Sequence, residues 1–361
     1  MAASNAQSLL LLPGDGIGPE VTSEARRIAE AVAPDIKMEE APFGGISYDK
    51  FGEPLTAEVL ARAKKADAVL MGAVGGPQWD KAPRAKRPEA ALLAMRKELD
   101  VYANIRPAYC FAALAPYSAL KQHLVDGLDI VIVRELTSGV YFGQPKEITD
   151  LSNGERRAVD TQSYTTSEIR RVARVAFELA RGRKRPGVRF AGVLSCEKSN
   201  VMETGVLWRE EVAKLHGEDY EDVQLDHMLA DAAAMHLVKA PKDINVILAD
   251  NLFGDILSDE AAMLTGSIGM LPSASLGDPG GPGLYEPVHG SAPDIAGKGL
   301  ANPCAAILSL EMVMRWSLKR PEAADRIWKA VDQALAAGAR TADLGGKLTT
   351  REMSEQILKR L

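Results

Sequence analysis

The sequence predicts an α/β fold in two lobes, on two observations. Short apolar runs alternate with helical patterns along the chain, an order that layers helices around a sheet. The 361 residues also exceed the size at which a single core usually stops growing. Residues 8–12 read as the first strand and 20–32 as the first helix; 66–71 and 88–99 repeat the pair. Further strands are expected at 130–133, 188–194 and 246–249. Between them a helix starts from Ser167 as cap, with Glu168 in its first turn, Ile169, Val172, Val175, Ala176 and Leu179 as its apolar set, and Gly182 after it. Two stretches break the alternation. Residues 144–166 are polar, with Asn153-Gly154 as a turn signal, and read as an exposed hairpin or arm. Residues 271–302 are rich in Gly and Pro, a loop long enough to suggest function.

Composition excludes several classes. Hydrophobic content of 46%, charged content of 25% and a net charge of −6 describe an ordinary globular protein with no general attraction to nucleic acid or anionic membranes. Small anionic substrates stay open, because a few local arginines decide their binding. The basic run Arg181-Gly-Arg-Lys-Arg185 ends a helix, where cations are ordinary. Cys110, Cys196 and Cys304 fit neither a disulfide framework nor a metal-ligand spacing, which favours a reducing compartment. Residues 9–12 lack a charged region before them, so no secretory signal is expected. No apolar stretch approaches the roughly 20 residues that span a bilayer. The expectation is a cytoplasmic protein.

Gly14-Asp-Gly16-Ile-Gly18-Pro-Glu20 follows the first strand and invites a dinucleotide reading, but the sixth position of the fingerprint is Pro19, not glycine. A tight turn before a helix remains, as consistent with structure as with a nucleotide. After 246–249, Gly254 is expected to turn the chain into a helix carrying Asp255 and Asp259 one turn apart, with Ile256, Leu257, Ala261 and Leu264 opposite. Like charges at this spacing repel unless solvated or bridged by a cation, and Mg²⁺ or Mn²⁺ prefers such oxygen donors. Asp231 is a candidate third carboxylate; His227 and His236 stand singly. Glu89, Leu92, Leu93 and Arg96 share one helical stripe, suited to a ligand with an apolar branch beside a carboxylate. Arg106 and Arg134 follow apolar segments and offer further guanidinium forks, though each alone is better explained as a surface ion pair. Lys198 lies just past a strand, where sites gather, and Tyr141 is held between glycines. A lowered lysine pKa would make the first a base, and the second could donate a proton; taken alone, a solvated charge and aromatic packing are the better explanations of Lys198 and Tyr141.

Assembled, these segments resemble the isocitrate/isopropylmalate dehydrogenase family, and within it the branch acting on 3-isopropylmalate. The likeness runs from Gly14-Asp-Gly-Ile-Gly-Pro-Glu20 to Asp343-Leu-Gly-Gly346 and is strongest in Asn251-Leu-Phe-Gly-Asp255-Ile-Leu-Ser-Asp259, Gly266-Ser-Ile-Gly-Met270, Val133-Arg134-Glu135, Tyr141-Phe-Gly143 and Glu286-Pro-Val-His289-Gly-Ser-Ala-Pro-Asp294-Ile-Ala-Gly297. It implies a doubly wound fold of two lobes that is not a Rossmann fold. The first domain, residues 1–107 and 267–361, would bind cofactor; the second, 108–266 with an arm near 144–166, would carry dimerisation, metal and catalysis. The resemblance further implies a homodimer with shared active sites, NAD and Mg²⁺ or Mn²⁺. Arg96, Arg106 and Arg134 would hold carboxylates, and Asp255 and Asp259 would bind metal together with Asp231 of the partner subunit. Lys198, also from the partner, would act as base and Tyr141 as proton donor. Glu89, Leu92 and Leu93, completed by Val201 from the partner, resemble an isopropyl pocket. Asp294 would accept a ribose hydroxyl and repel a 2′-phosphate, favouring NAD over NADP. Glu286, His289, Gly290, Ser291, Ala292, Asn302, Gly75, Gly76 and Ile17 match further cofactor contacts. The expected reaction is oxidative decarboxylation of 3-isopropylmalate to 4-methyl-2-oxopentanoate in leucine biosynthesis. The rivals are a tartrate, malate or homoisocitrate enzyme and, from another class, a non-catalytic regulatory subunit. Two departures stand out: Glu197-Lys198-Ser199-Asn200 where relatives commonly have Asp-Lys-Ala-Asn, and Asp250 before Asn251 where a small or neutral residue is commoner.

Overall fold

The computed structural model describes residues 7–361. Residues 1–6, which fall within the expected first domain and the segment examined for a secretory signal, lie outside the described residues. The strands in chain order are β1 (Ser8–Gly14), β2 (Lys37–Glu40), β3 (Ala68–Ala73), β4 (Ala103–Tyr109), β5 (Asp129–Glu135), β6 (Lys146–Asp150), β7 (Arg156–Asp160), β8 (Phe190–Glu197), β9 (Leu225–Leu229), β10 (Ile244–Ala249), β11 (Pro272–Leu276) and β12 (Gly283–Pro287). The chain divides into two compact units: Met1–Val101, Tyr109–Gly127 and Ala262–Leu361 form the first, Tyr102–Ala108 and Leu128–Ala261 the second.

In the first unit the strand order is β2-β1-β3-β12-β11. β2, β1, β3 and β12 are parallel, and β11 runs antiparallel to β12. Leu9, Leu10, Leu11 and Leu12 are all buried, the unbroken apolar run that a parallel strand covered on both faces requires. Helix Gly18–Val32 follows, with Pro19 in its first turn and Val21, Ala25, Ile28 and Ala29 buried at helical spacing. Helix Cys304–Met312 is buried along its whole length, packed against β11, β12 and helices Gly18–Val32 and Pro321–Ala336. The stretch 271–302, expected to be a loop, contains β11 and β12. Both strands are buried on both faces, and the small Ser273, Ala274 and Ser275 show no alternation to betray them.

In the second unit the order is β4-β5-β10-β8-β9, with β10 parallel to β5 and β8, and β8 parallel to β9. Helix Thr166–Gly182 packs on β5, β8 and β10. Its cap is Thr165 rather than Ser167, and Gly182 is its last residue rather than the one beyond it. The reason is reciprocity: Thr165 has Glu168 three residues on and forms a capping box, whereas the same offset from Ser167 falls on Arg170. β6 and β7 form an antiparallel hairpin of mostly exposed residues, with Gly154 at φ +84° in its turn. The basic run ending helix Thr166–Gly182 is paired with acids, Arg181 with Asp222 and Glu178, and both Arg183 and Arg185 with Asp129. Cys110, Cys196 and Cys304 are free and buried. Among the described residues no helix is long and apolar enough to cross a membrane.

Candidate active site

The strongest concentration of predicted site residues lies in the second unit, where β4, β5 and helix Asn251–Leu264 meet. Arg106 on β4 and Arg134 at the end of β5 are 7% and 2% exposed. Helix Asn251–Leu264 begins before Gly254, not after it, because Asp250 caps it by accepting from the Phe253 N–H at 2.8 Å. That gives Asp250, unexplained by sequence, a structural role. Gly254 serves closeness rather than turning: a Cβ there would lie 2.8 Å from the Arg134 Cβ. Leu257, Ala261 and Leu264 are buried as expected, but Ile256 is 56% exposed. One residue on from Asp255, Ile256 is turned about 100° around the axis, away from the buried stripe.

Asp255 is the hub. It accepts from an Arg134 guanidinium nitrogen and from the Tyr141 hydroxyl, the latter at 3.0 Å, and pairs with Arg106 at 3.2 Å. Asp259 accepts from Arg106 at 3.0 Å, beside a 2.8 Å bond from Arg106 to Ser258. Partial burial raises the Asp259 carboxyl from its ordinary value, though its side chain is 57% exposed; Asp255 adds to this while Arg106 and Arg134 oppose it. The Tyr141 phenol is likewise raised, by burial first and then by Asp255. Lys198, just past β8, donates to Asp231 at 2.7 Å, and Asp231 lies in the first turn of helix Ala230–Lys239. Val201 is 72% exposed. His227 and His236 stand beside Glu197 and Asp243.

Among the described residues no three His, Cys, Asp or Glu side chains gather to hold a metal. Asp255 and Asp259 nevertheless fit a hard divalent cation in part: both donors are carboxylate oxygens, and a cation between them would offset the like charge that each places on the other. A complete protein donor set needs a further ligand.

The first unit holds a second group. Arg96 donates to Glu286 at 2.5 Å, and both are buried. On the helix Pro88–Glu98, Leu92 and Leu93 are half-buried and Glu89 is exposed. Gly75 adopts φ +103°, a backbone conformation that L side chains rarely take, whereas the Glu89 carboxylate, 2.7 Å from a Cβ placed there, is the movable end of a flexible side chain; neighbouring Gly76 is partly exposed. Ile17 donates its N–H to the Ser291 carbonyl at 2.8 Å, and a Cβ on Gly16 would fall 2.0 Å from that same oxygen. His289 is buried, which lowers its pKa from the ordinary value and favours the neutral ring; Nδ1 contacts the Gly290 carbonyl, while Nε2 is buried with no hydrogen-bond partner among the described residues. A buried acceptor of this kind fits a ligand donor. Ala292 adopts φ +38°, Asp294 is exposed, and Asn302 donates to Asp343 at 3.0 Å.

Sequence reasoning gave no role to several residues that the structure places in these groups. Asp15 is buried and accepts from Gly45, Ile46 and Gly75, stitching the glycine-rich turn to its surroundings. Asn104 and Asn251 bond the two arginines. Asn104 lies two residues from Arg106, on the same face of a strand, which is the signal that could have found it.

Glu135, fully buried, accepts from Thr137 and Ser138, and burial lifts its carboxyl to about 7 despite those bonds and the nearby Arg171. Since its unfolded value is the ordinary 4.5, protonation favours the fold: the contribution is complete below pH 4.5 and is lost as pH rises through about 7. The linkage amounts to about 3 kcal/mol. Thermal melts of wild type and Glu135→Gln should therefore diverge between about pH 5 and 7.5, with the wild type losing stability more steeply. Parallel curves would show that Glu135 does not titrate there.

Comparison with known proteins bears on the same architecture. The profile described as isocitrate/isopropylmalate dehydrogenase matches residues 8–357. A protein named 3-isopropylmalate dehydrogenase from Caulobacter vibrioides is 65% identical over 354 residues, covering 98% of this chain and 99% of that one. Its namesake from Nitrobacter winogradskyi is 55% identical, covering 98% and 97%. Among solved structures, an isocitrate dehydrogenase from Methylococcus capsulatus superposes with a TM-score of 0.87 at 31% identity, covering 98% of this chain and 99% of that one. A beta-decarboxylating dehydrogenase from Thermococcus kodakarensis gives 0.80 at 36%, covering 98% and 96%. With its large, mostly parallel sheet and a match over nearly its whole length, the chain belongs to the isocitrate/isopropylmalate dehydrogenase family.

Proposed function

We propose that this chain catalyses the NAD-dependent oxidative decarboxylation of 3-isopropylmalate to 4-methyl-2-oxopentanoate and CO₂, with Mg²⁺ or Mn²⁺, as a step of leucine biosynthesis. The observation that carries the reading is the convergence of Arg106, Arg134 and Tyr141 on Asp255, in a chain 65% identical to a 3-isopropylmalate dehydrogenase. When bound, NAD accepts the hydride from C2 and the divalent cation supplies positive charge at the substrate oxygens. The chain's own residues do the rest. Arg96, Arg106 and Arg134 hold the carboxylates of the malate moiety, and their fixed charges favour the electron-rich transition state over the ground state. Lys198 takes the C2 hydroxyl proton as the hydride leaves. The bond from C3 to the departing carboxylate then breaks, its electron pair passes into the enolate, and the Tyr141 hydroxyl returns a proton to C3.

Asp255 and Asp259 are assigned to the metal together with Asp231 of the partner subunit, in a homodimer whose sites are shared. Lys198 and Val201 come from the same partner in this reading. The exposed Val201, Met235 and Ile256 are apolar surface that such a partner would cover. Glu89, Leu92 and Leu93 select the isopropyl group, Glu89 by repelling a third carboxylate. Cofactor contacts are assigned to Glu286, His289, Gly290, Ser291, Ala292, Asp294, Asn302, Gly75, Gly76 and Ile17, in a first domain of residues 1–107 and 267–361; residues 108–266 form the second. The three free, buried cysteines support a cytoplasmic location. The test is NADH formation across 3-isopropylmalate, isocitrate, homoisocitrate, tartrate and malate, with and without chelator. The expected result is fastest turnover on 3-isopropylmalate, abolished by chelator; faster turnover on any other acid overturns the substrate assignment.

A further inference from the structure

Two buried amides stand behind the arginines at Asp255. The Arg106 Nε donates to the Asn104 Oδ1 at 2.7 Å, and the Nε and Nη2 of Arg134 donate to the Asn251 Oδ1 at 3.1 and 2.7 Å. Asn104 and Asn251 are both 0% exposed. The Asn251 amide is oriented by its surroundings: its Nδ2 donates to the Ser138 carbonyl at 2.9 Å, which turns the oxygen toward Arg134, and its backbone N–H donates to the Tyr164 hydroxyl at 2.9 Å. Asn104 shares a strand face with Arg106. In each case an edge of the guanidinium is held by a neutral acceptor, while other nitrogens meet Asp255, Asp259 or Ser258.

The choice of acceptor has an electrostatic consequence. A carboxylate would hold a guanidinium more tightly, but as a dedicated buried counter-ion it would cancel the charge meant for an anionic ligand. An amide oxygen fixes the same edge without adding charge. We propose that Asn104 and Asn251 are positioning residues, neutral clamps that set the pose of Arg106 and Arg134 without adding to the negative charge that Asp255 and Asp259 already place beside them, so that the arginines still attract the substrate's carboxylates once those two aspartates are engaged by the cation. The assignment rests on the substrate role of these arginines given above.

The test separates charge from packing. Wild type is first assayed for NAD reduction with 3-isopropylmalate and Mg²⁺; failure there counts against the proposed function, and the clamp is then tested on whichever diacid the wild type oxidises. Asn104→Asp and Asn251→Asp keep the shape and the acceptor but add charge. They are expected to raise the KM for the diacid roughly 10- to 100-fold, with the KM for NAD unchanged. Asn104→Ala and Asn251→Ala remove the acceptor without adding charge, so they should lose more thermal stability yet raise the diacid KM less than the Asp variants. A merely structural amide gives the opposite order, with the isosteric Asp variants milder than Ala in every readout. That order, or an unchanged diacid KM in Asn104→Asp, overturns the proposal. Should Asn251→Asp fail to fold because the Ser138 carbonyl loses its donor, the Asn104 pair decides by the same criteria.

Discussion

Asp255→Asn should lower turnover by about 1,000-fold while leaving a folded protein. Asp255 is where an Arg134 nitrogen, the Tyr141 hydroxyl and Arg106 converge, so one carboxylate serves several partners at once. Asparagine preserves the outline and one oxygen acceptor but removes the charge. The cation then loses one of its assigned donors, and the Tyr141 hydroxyl loses the carboxylate that orients it. The cost to folding should be smaller, about 1 to 3 kcal/mol, because Asn251 still holds Arg134 and Asp259 still pairs with Arg106. NADH formation over a Mg²⁺ titration, with a thermal melt of the same sample, separates the two effects. Undiminished turnover at limiting Mg²⁺ would remove Asp255 from the metal site.

Mixing two inactive variants should restore activity. If the partner contributes Lys198 and Asp231, then Lys198→Ala damages a site from one side and Asp255→Asn from the other. A heterodimer of the two carries both lesions in one site and none in the second. Random reassortment makes half of the dimers mixed, each with one intact site, so activity should return to about a quarter of wild type. Each variant alone, put through the same dissociation and reassociation, should stay inactive. Sites built within one subunit predict no recovery at all. The motivation is the pairing of Lys198 with Asp231, two residues that the proposal assigns together to the partner's side of the site.

What could be read from the sequence and what could not divide along physical lines. The α/β alternation was legible because parallel strands covered on both faces leave continuous apolar runs, as Leu9, Leu10, Leu11 and Leu12 do. Spacing within a helix placed Asp255 and Asp259 together, since neighbours on a helix face are set by local geometry. Boundaries were less secure: capping depends on which side chain finds which N–H, so Thr165 and Asp250 took positions read as Ser167 and Gly254. β11 and β12 escaped notice because small residues buried on both faces carry no period. Hydrophobic periodicity and charge spacing are properties of near neighbours, so the sequence by itself determined the fold class and the cast of candidate residues. Only the tertiary structure decided which of them meet: that Arg106, 149 positions earlier in the chain, closes on Asp255, that Arg96 turns to Glu286, and that buried amides stand behind the arginines. Those contacts join residues far apart in the chain, and long-range pairing is set by how strands are ordered in a sheet rather than by any local pattern.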